Sequence, residues 1–407
     1  MIEALYIHIP FCASRCAYCD FSTAACADDA VMDAYVEALS LQLRRAAKAG
    51  LLGGVRTIYI GGGTPTHLGS RRLNSLAYMV SLSVNLENVD EFTVEANPES
   101  LDARMVKDLF ALGVNRMSIG VQSFDDDVLR AFGRPHTAAD ALKAIAAAQE
   151  RDMRVSVDLI CGAPCQTPKS WRDSVERAVA SGVDHVSIYP LTVEEGTPLA
   201  ARVEQGLWDG PDEDAQAQMM EDAQDILAQA GFARYEVASY AKPGCESKHN
   251  TAYWTGASYL GLGAAAASMM TPAQWEACVQ AGVFGDALDS ADAAAVATAQ
   301  PDGRIRIQAA FDTQGFSRSM GRPQWASDVM DARQALLEDV MLAFRRSAGL
   351  SPELARCASN VVPQLPATLT ALEADGLIAA DGSGGYKPTQ RGWLMGNCVF
   401  GAVWALA

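Results

Sequence analysis

Short apolar segments alternate with amphipathic segments of helical periodicity over the first half of this 407-residue chain. Residues 28–48 illustrate the helical pattern, because Val31, Tyr35, Leu39 and Leu43 fall on one face of a helix. Six strand–helix units of this kind predict a parallel sheet that is covered by its crossover helices. The predicted strands span residues 5–9, 57–60, 91–95, 116–119, 155–160 and 185–189.

Glycine and polar residues stand where the predicted strands end. A Gly-Gly-Gly-Thr-Pro run follows the second strand, and Glu95, Gln122 and Asp158 lie at or near the ends of the next three. The carboxyl ends of parallel strands meet at one face of a barrel, so these residues favour a closed or partly closed barrel over an open doubly wound sheet. The glycines allow a ligand to approach the backbone closely, and no Gly-Lys-Ser/Thr follows them as in a nucleotide triphosphate loop.

Three cysteines, Cys12, Cys16 and Cys19, follow the first predicted strand. Cysteine thiolates hold iron–sulfur clusters, and three ligands leave one iron of a four-iron cluster open to another molecule. A structural zinc site normally pairs two Cys-x-x-Cys knuckles, and the chain has no second knuckle. A disulfide framework is also a poor explanation, because the ten cysteines are sparse and irregularly spaced. The triplet therefore predicts a [4Fe-4S] cluster with an open iron position.

The composition describes an acidic globular protein. Apolar residues make up 49% of the chain, and the net charge is −17. This charge argues against a nucleic acid or an anionic membrane surface as a partner, since both attract basic patches. The sequence has no apolar stretch long enough to span a bilayer and no secretory leader pattern at its start. We expect a cytoplasmic protein, where thiols stay reduced.

The pattern changes near the middle of the chain, which suggests three domains. Residues 1–200 form the predicted barrel, and 201–330 an extension and linker, in which 261–267 has the small residues of a flexible segment and 271–325 shows little periodicity. Residues 331–407 predict helices followed by a two-stranded wing. Acids and bases nearly balance there, so we expect this domain to pack on the barrel or cover its substrate rather than bind DNA.

Together these motifs resemble those of radical S-adenosylmethionine (SAM) proteins. Cys-x₃-Cys-x₂-Cys after a first strand and Gly-Gly-Gly-Thr-Pro after the second are similar to the oxygen-independent coproporphyrinogen III oxidase family, over nearly the whole chain. The resemblance implies an α/β fold: a partial parallel (β/α)6 radical SAM barrel, an added α+β segment and a C-terminal helical, winged-helix-like domain.

Two features separate the branches of this family. The oxidases carry a fourth cysteine just after the triplet, whereas Asp20 and Phe21 follow Cys19 here. Asp20-Phe21 and the later His-Asn-x-x-Tyr-Trp motif, which begins at His249, resemble the heme-chaperone branch. One position departs from that branch, because Ala267 stands where it has a histidine.

The resemblance implies ligands for three cofactors. Cys12, Cys16 and Cys19 would hold the [4Fe-4S] cluster, and His249 would contact heme. The SAM site would be formed by Tyr6, Tyr18, Gly62, Gly63, Thr64, Glu95, Gln122, Arg134 and Asp158.

Three functions remain open at the level of sequence. The first is a heme chaperone that binds heme and delivers it to a recipient hemoprotein. The second is oxidative decarboxylation of coproporphyrinogen III, and the third is a methylase or cyclopropanase reaction with two SAM molecules. The missing fourth cysteine and the motif at His249 favour the first. Any productive cleavage of SAM would also need an electron donor such as flavodoxin or ferredoxin.

Overall fold

A computed structural model describes residues 1–407. Its strands, in chain order, are β1 Ala4–Ile9, β2 Phe11–Cys12, β3 Ala24–Ala25, β4 Thr57–Gly62, β5 Glu91–Ala96, β6 Arg116–Gln122, β7 Arg154–Cys161, β8 His185–Pro190, β9 Ala233–Arg234, β10 Ser239–Ala241, β11 Tyr259–Leu262, β12 Ala267–Met270, β13 Arg304–Ala309, β14 Trp325–Met330, β15 Ile378–Ala380 and β16 Tyr386–Pro388. One sheet contains twelve of them, and β2–β3 and β15–β16 form separate pairs.

α-Helices connect most of the successive parallel strands, as the sequence predicts. The helices are α1 Asp29–Lys48, α2 Gly69–Ser83, α3 Ala103–Ala111, α4 Asp126–Ala131, α5 Ala138–Gln149, α6 Pro168–Ala180, α7 Pro198–Glu204, α8 Glu213–Gln229, α9 Lys248–Trp254, α10 Pro272–Gln280, α11 Ser290–Ala297, α12 Thr313–Arg318, α13 Ala332–Ala343, α14 Pro352–Val361, α15 Leu365–Ala374, α16 Gln390–Leu394 and α17 Gly396–Trp404. None of them combines the length and the apolar character needed to cross a bilayer.

The centre of the large sheet is the parallel barrel that the sequence predicts. The strand order is β14-β13-β12-β11-β1-β4-β5-β6-β7-β8-β10-β9, and the strands from β11 to β8 run parallel to one another. The six predicted strands are β1, β4, β5, β6, β7 and β8, close to their expected bounds. The edge strands β9 and β14 do not pair with each other, so the barrel is partial.

Polarity alternates along the parallel strands, and this alternation makes the barrel interior polar. In β5, Phe92 and Val94 are fully buried in the core, whereas Glu91, Thr93 and Glu95 occupy the other face. Strands β6, β7 and β8 repeat the pattern. The interior is therefore a space for polar ligands rather than a packed barrel core.

The small-residue segment 261–267 joins two strands of the sheet through a buried turn at 263–266, and its flexibility stays a prediction. Strand β11 pairs with β1, and β12 returns beside it. Gly263 has a φ of +103°, and a Cβ at this position would lie 2.6 Å from the hydroxyl of Tyr35 in α1. Small residues are needed here because the backbone packs closely against its neighbours.

Two hydrophobic cores lie on either side of residue 330. The larger one runs through the barrel and its extension, from Ile2 to Trp325, and the second contains residues between Leu337 and Val403. The predicted boundary at residue 200 thus falls inside one continuous core, and the three-part division remains a prediction. In the C-terminal domain, α14, α15 and the β15–β16 hairpin have the winged-helix-like order expected from the sequence.

A buried cluster of charges joins the C-terminal domain to the sheet. Glu338 of α13, whose side chain is 3% exposed, accepts hydrogen bonds from Arg304 and Arg306 of β13. Asp339 accepts a bidentate pair of hydrogen bonds from Arg304, both at 2.7 Å. Removal of one partner from such a cluster would leave a buried charge uncompensated and would therefore destabilise the contact between the domain and the sheet.

Candidate functional site

The three cysteines of the N-terminal triplet line one cavity at the carboxyl ends of the parallel strands. This space, which we call the cluster cavity, has a volume of about 390 Å³, and Cys12, Cys16 and Cys19 form part of its wall. Burial raises the pKa values of Cys12 and Cys19, and neighbouring thiols in the triplet add to the effect. The thiols are therefore close neighbours in a partly shielded site.

The donor set fits a cluster better than a single metal ion. No group of three or more histidine, cysteine, aspartate or glutamate side chains in the chain converges on one ion position. A structural zinc site needs such convergence. An iron–sulfur cluster takes its thiolates on separate irons, so three thiols in the wall of one cavity fit a [4Fe-4S] cluster with one open iron.

The glycine run after β4 packs against the cysteine loop. Gly62 has a φ of +112°, and a side chain there would clash with the ring of His8. A Cβ at Gly63 would lie only 3.1 Å from the sulfur of Cys12. The Thr64 hydroxyl donates to the same sulfur at 3.5 Å. Glycine at these two positions lets the backbone itself line the cavity beside the cysteines.

Two carboxyl groups face the cluster cavity from β5 and β7. Glu95 accepts hydrogen bonds from the Tyr59 hydroxyl at 2.6 Å and from the Gly62 backbone N–H at 2.9 Å. Burial raises the pKa of Glu95 to about 7 and that of Asp158 to about 6. A cationic ligand would favour the ionised form of both groups, and SAM carries a sulfonium and an ammonium.

Arg134 supplies a positive charge in the same cavity. It is buried, and it donates hydrogen bonds to the Asn97 side-chain oxygen at 2.9 Å and to the Gly120 carbonyl at 2.7 Å. Its Nη1 approaches the sulfur of Cys16 at 3.4 Å, and its Nε has no hydrogen-bond partner. A buried guanidinium without a carboxylate partner fits the carboxylate of SAM or the thiolates of a cluster.

The other predicted SAM residues divide between two places. Tyr18 and Gln122 line the cluster cavity; Tyr18 packs edge-on against Phe132, and Gln122 has a strained φ of +66° at an irregularity of β6. Tyr6 is not in that wall, and its place in the SAM site stays a prediction. We call the carboxyl ends of the parallel strands the mouth of the barrel. The β1–β4 register places Tyr6 level with Tyr59, below this mouth, and Tyr6 lines a neighbouring cavity.

His249 lies at the amino-terminal end of the strands, stacked on the ring of Tyr59, while its neighbour Asn250 lines the cluster cavity. Its two ring nitrogens share hydrogen bonds with the hydroxyls of Thr57 and Tyr253, both at 2.9 Å. Burial lowers its pKa to about 3, so the ring is neutral. Ligation of heme iron would require one of these hydrogen bonds to break, and the assignment of His249 to heme stays a prediction.

Glu91 fixes helix α9 beneath the barrel interior. The backbone N–H groups of Lys248 and His249 donate to its carboxylate at 3.0 and 3.1 Å, and the Ser247 hydroxyl donates at 3.2 Å. The helix end and its acidic partner satisfy each other. We call Thr57, Glu91, His249 and Tyr253 the barrel floor.

The wall of the cluster cavity also contains residues that the predicted site does not include, among them Tyr59, Asn97 and Arg116. Asn97 links the two sides of the mouth, because it accepts from Arg134 and donates to the Thr64 hydroxyl at 3.1 Å. Tyr59 and Arg116 occupy inward positions of strands that are apolar on the other face. The alternation along each strand is the sequence signal that identifies them.

Known proteins match both the barrel and the whole chain. A model of the Radical SAM superfamily matches residues 6–178. The heme chaperone HemW of Bacillus subtilis is 32% identical over 406 residues, which cover 98% of this chain and 99% of that protein. HemW of Lactococcus lactis is 38% identical over 269 residues, 66% of this chain and 70% of its own length. The solved structure of coproporphyrinogen III oxidase (HemN) from Escherichia coli has a TM-score of 0.77 and 20% identity, and covers 100% of this chain and 91% of that one.

The cysteine loop, glycine run and partial barrel define a radical SAM protein. Within that superfamily, the chain belongs to the HemW family. The fold class and the [4Fe-4S] and SAM cofactors predicted from the sequence are thereby confirmed at the level of the family. The likeness to HemN supports the fold alone.

Proposed function

We propose that the protein binds heme and acts as a heme chaperone that passes it to a recipient hemoprotein. The observation that carries the proposal is the match to the heme chaperone HemW of Bacillus subtilis over 99% of that protein, which includes the C-terminal domain as well as the barrel. The absence of a cysteine after the triplet supports the same choice over a coproporphyrinogen oxidase.

The cluster cavity is proposed to bind SAM. With a [4Fe-4S] cluster and SAM bound, such a site supplies reductive cleavage of the sulfonium. Cys12, Cys16 and Cys19 would hold the cluster, and Gly62, Gly63 and Thr64 would present backbone and hydroxyl groups to SAM. The ligand's carboxylate and cationic groups have partners in Arg134, Glu95 and Asp158, and Tyr18 and Gln122 complete the wall.

We propose that His249 serves heme binding through Tyr253. The hydrogen bond between the Tyr253 hydroxyl and Nε2 fixes the orientation of that phenol, and both ring nitrogens of His249 are already engaged. The variant Y253F frees Nε2 without removing the ring of His249. If His249 ligates iron directly, Y253F keeps heme while H249A loses it; if His249 orients Tyr253, both variants weaken heme binding.

The proposal includes a reducing, cytoplasmic setting and an electron donor such as flavodoxin or ferredoxin. All ten cysteines are free, and the triplet must stay reduced to hold a cluster. The residues between Cys12 and Cys16 are exposed, so a donor can approach the cluster loop from solvent.

Anaerobic reconstitution tests this function on one sample. Heme binding is followed by absorbance, SAM cleavage by release of 5′-deoxyadenosine, and oxidase activity by conversion of coproporphyrinogen III. We expect stoichiometric heme binding, transfer to an apo-hemoprotein and no protoporphyrinogen. Turnover to protoporphyrinogen, or no heme binding, would overturn the proposal.

A further inference from the structure

The inner end of the cluster cavity contains an arginine that the proposed SAM site does not use. Arg116 is the first residue of β6, is only 2% exposed and lines the cavity. Its guanidinium forms no hydrogen bond and no ion pair within the protein. A buried cation without a counter-ion is costly, because the protein has removed water from it without supplying negative charge. The arrangement therefore favours a ligand that brings this charge.

Arg116 and Arg134 belong to different levels of the barrel. Arg134 reaches the carbonyl of Gly120 and the sulfur of Cys16 at the mouth. Arg116 precedes Gly120 by four residues on the same strand, a Cα separation of roughly 13 Å at the rise of a parallel strand. The backbone of Arg116 thus lies well below the place where Arg134 would hold the carboxylate of SAM.

Two neutral side chains of the same wall also lack partners. Ser118 is the next inward residue of β6 and is 6% exposed, and Asn250 contributes to the wall from α9. Neither side chain forms a hydrogen bond within the protein. A hydroxyl and a carboxamide can each donate to an oxyanion. Together with the guanidinium they offer a charge-assisted contact and neutral donors, which suits a carboxylate.

The two carboxyl groups of this cavity lie nearer the mouth than Arg116. Glu95 pairs in register with Ser118, and Asp158 lies two residues beyond Ser156, which also pairs with Ser118. Burial raises the pKa of Asp158 to about 6, and the charge of Arg116 offsets this only in part. Both carboxyl groups remain available to the cationic groups of SAM. The cavity is therefore ordered for cationic ligand groups above and an anionic group below.

The histidines around the inner end do not share its positive charge. Burial, and then the charge of Arg116, lower the pKa values of His185 and His249. The ring nitrogens of His185 share hydrogen bonds with the hydroxyls of Ser156 and Tyr235, at 2.7 and 2.8 Å. Both rings are neutral, so Arg116 supplies the positive charge that an anion would meet at this depth.

We propose that the inner end of the cluster cavity is an anion subsite that binds the carboxylate of a small organic acid beneath SAM. Arg116, Ser118 and Asn250 form this subsite, which we call the inner subsite. The inference goes beyond heme transfer, and only the position beneath SAM rests on the proposed function. An acid held here directs its remaining atoms toward the mouth, where the proposed SAM site lies. The corresponding amide binds poorly, because it carries hydrogens where the carboxylate accepts.

Titration of isotope-labelled acetate into the anaerobically reconstituted protein tests the inner subsite. The NMR line width of its carboxyl carbon reports binding, and chloride keeps the ionic strength constant. We expect saturable broadening with the wild type and an acetate affinity at least about tenfold lower for R116Q, because a charge-assisted hydrogen bond is lost. R104Q removes a guanidinium from the exposed side of α3 and should bind acetate as the wild type does. Acetamide should show no saturable broadening.

Urea unfolding separates a binding role of Arg116 from a structural one. An unpaired buried charge does not stabilise the fold, so R116Q should unfold at a urea concentration equal to or above that of the wild type. A lower midpoint for R116Q together with an unchanged acetate affinity would show that Arg116 is structural and would overturn the inference. So would the absence of saturable acetate binding by the wild type.

A repeat of the titration with saturating SAM identifies the source of the carboxylate. Acetate should still bind, because the inner subsite lies below the residues proposed for SAM. Displacement of acetate by SAM would mean that Arg116 takes the carboxylate of SAM itself, and would overturn the inference.

The outcomes also distinguish the inner subsite from the proposed function. A protein that binds acetate but not heme would refute the chaperone proposal and keep the inner subsite, and the reverse result would do the opposite. If R116Q fails to fold, S118A replaces it, because loss of one hydroxyl leaves the charge in place. We expect a few-fold weaker binding of acetate by S118A, and unchanged affinity would contradict the inner subsite.

Discussion

The mouth and the floor of the barrel use the same kinds of polar residue in opposite ways. At the mouth, burial raises the pKa of Glu95, and the guanidinium of Arg134 lacks a carboxylate partner. On the floor, Glu91 and His249 are at least as well buried, but their carboxylate oxygens and ring nitrogens are all hydrogen-bonded within the protein. Arg134 at the mouth lacks a carboxylate partner, which a ligand can supply. The polar groups of the floor have all their hydrogen-bond partners within the protein.

This contrast shows that residue type alone does not reveal a binding site. Glu91 and Glu95 belong to the same face of the same strand, four residues apart. One fixes a helix and the other faces a cavity. Both carboxylates accept hydrogen bonds within the protein, so access to the cluster cavity, which only Glu95 has, separates the residue that can bind a ligand from the structural one.

The largest expected effect concerns the cysteines of the mouth. Substitution of Cys12, Cys16 or Cys19 by alanine should abolish the cluster, because the remaining thiolates cannot hold it. Iron and sulfide analysis after anaerobic reconstitution should fall from about four irons per chain to near zero. The exposed Cys357 lies in the C-terminal domain, and C357A should keep the full iron content. Retention of iron by the triplet variants would refute the cluster assignment.

The floor should respond as a structural element. The variant E91Q replaces an acceptor of three hydrogen bonds with an amide that also carries donors. We expect the free energy of unfolding to fall by about 4 kcal/mol, from the loss of hydrogen bonds to a buried charge. Urea unfolding measures the change, and E87Q, at an exposed position before β5, should change it little. An equally small effect of E91Q would mean that the floor does not depend on this carboxylate.

The stability of the protein should change with pH because of Glu95 at the mouth. Glu95 has an ordinary pKa of 4.5 when unfolded and about 7 when folded, so the folded protein binds more protons between these values. Its contribution therefore lowers stability as pH rises from 4.5 to 7, by about 3 kcal/mol in total. E95Q should remove this decrease, which urea unfolding of the cluster-free protein at pH 5 and pH 8 would reveal. Parallel changes in wild type and variant would contradict the raised pKa.

The smallest expected effect is on the cation of the mouth. R134K keeps the charge but cannot reproduce the planar set of donors that reaches Asn97 and Gly120. SAM affinity, measured anaerobically by calorimetry, should weaken by about tenfold through loss of a bidentate contact. R104K, on the exposed side of α3, is the matched control and should bind SAM as the wild type does. Equal affinities for R134K and the wild type would remove Arg134 from the SAM site.

Local pattern was enough to predict much of the fold and part of the site. The six parallel strands and the residues at their carboxyl ends follow from periodicity and strand-end position, and the structure brings Cys12, Glu95, Gln122 and Asp158 into one cavity. The environment of His249 could not be predicted, because its partner Thr57 is 192 residues away in sequence. The layer of Tyr6 in the barrel could not be predicted for a related reason, since it depends on the register with β4.

The charge cluster around Glu338 joins the C-terminal domain to the barrel, although this domain has its own hydrophobic core. A chain cut after residue 330 would leave Arg304 without Glu338 and Asp339 and would leave Arg306 with Asp328 as its acidic partner. The barrel is thus not a detachable module: the domain that follows it in sequence completes its side wall in space.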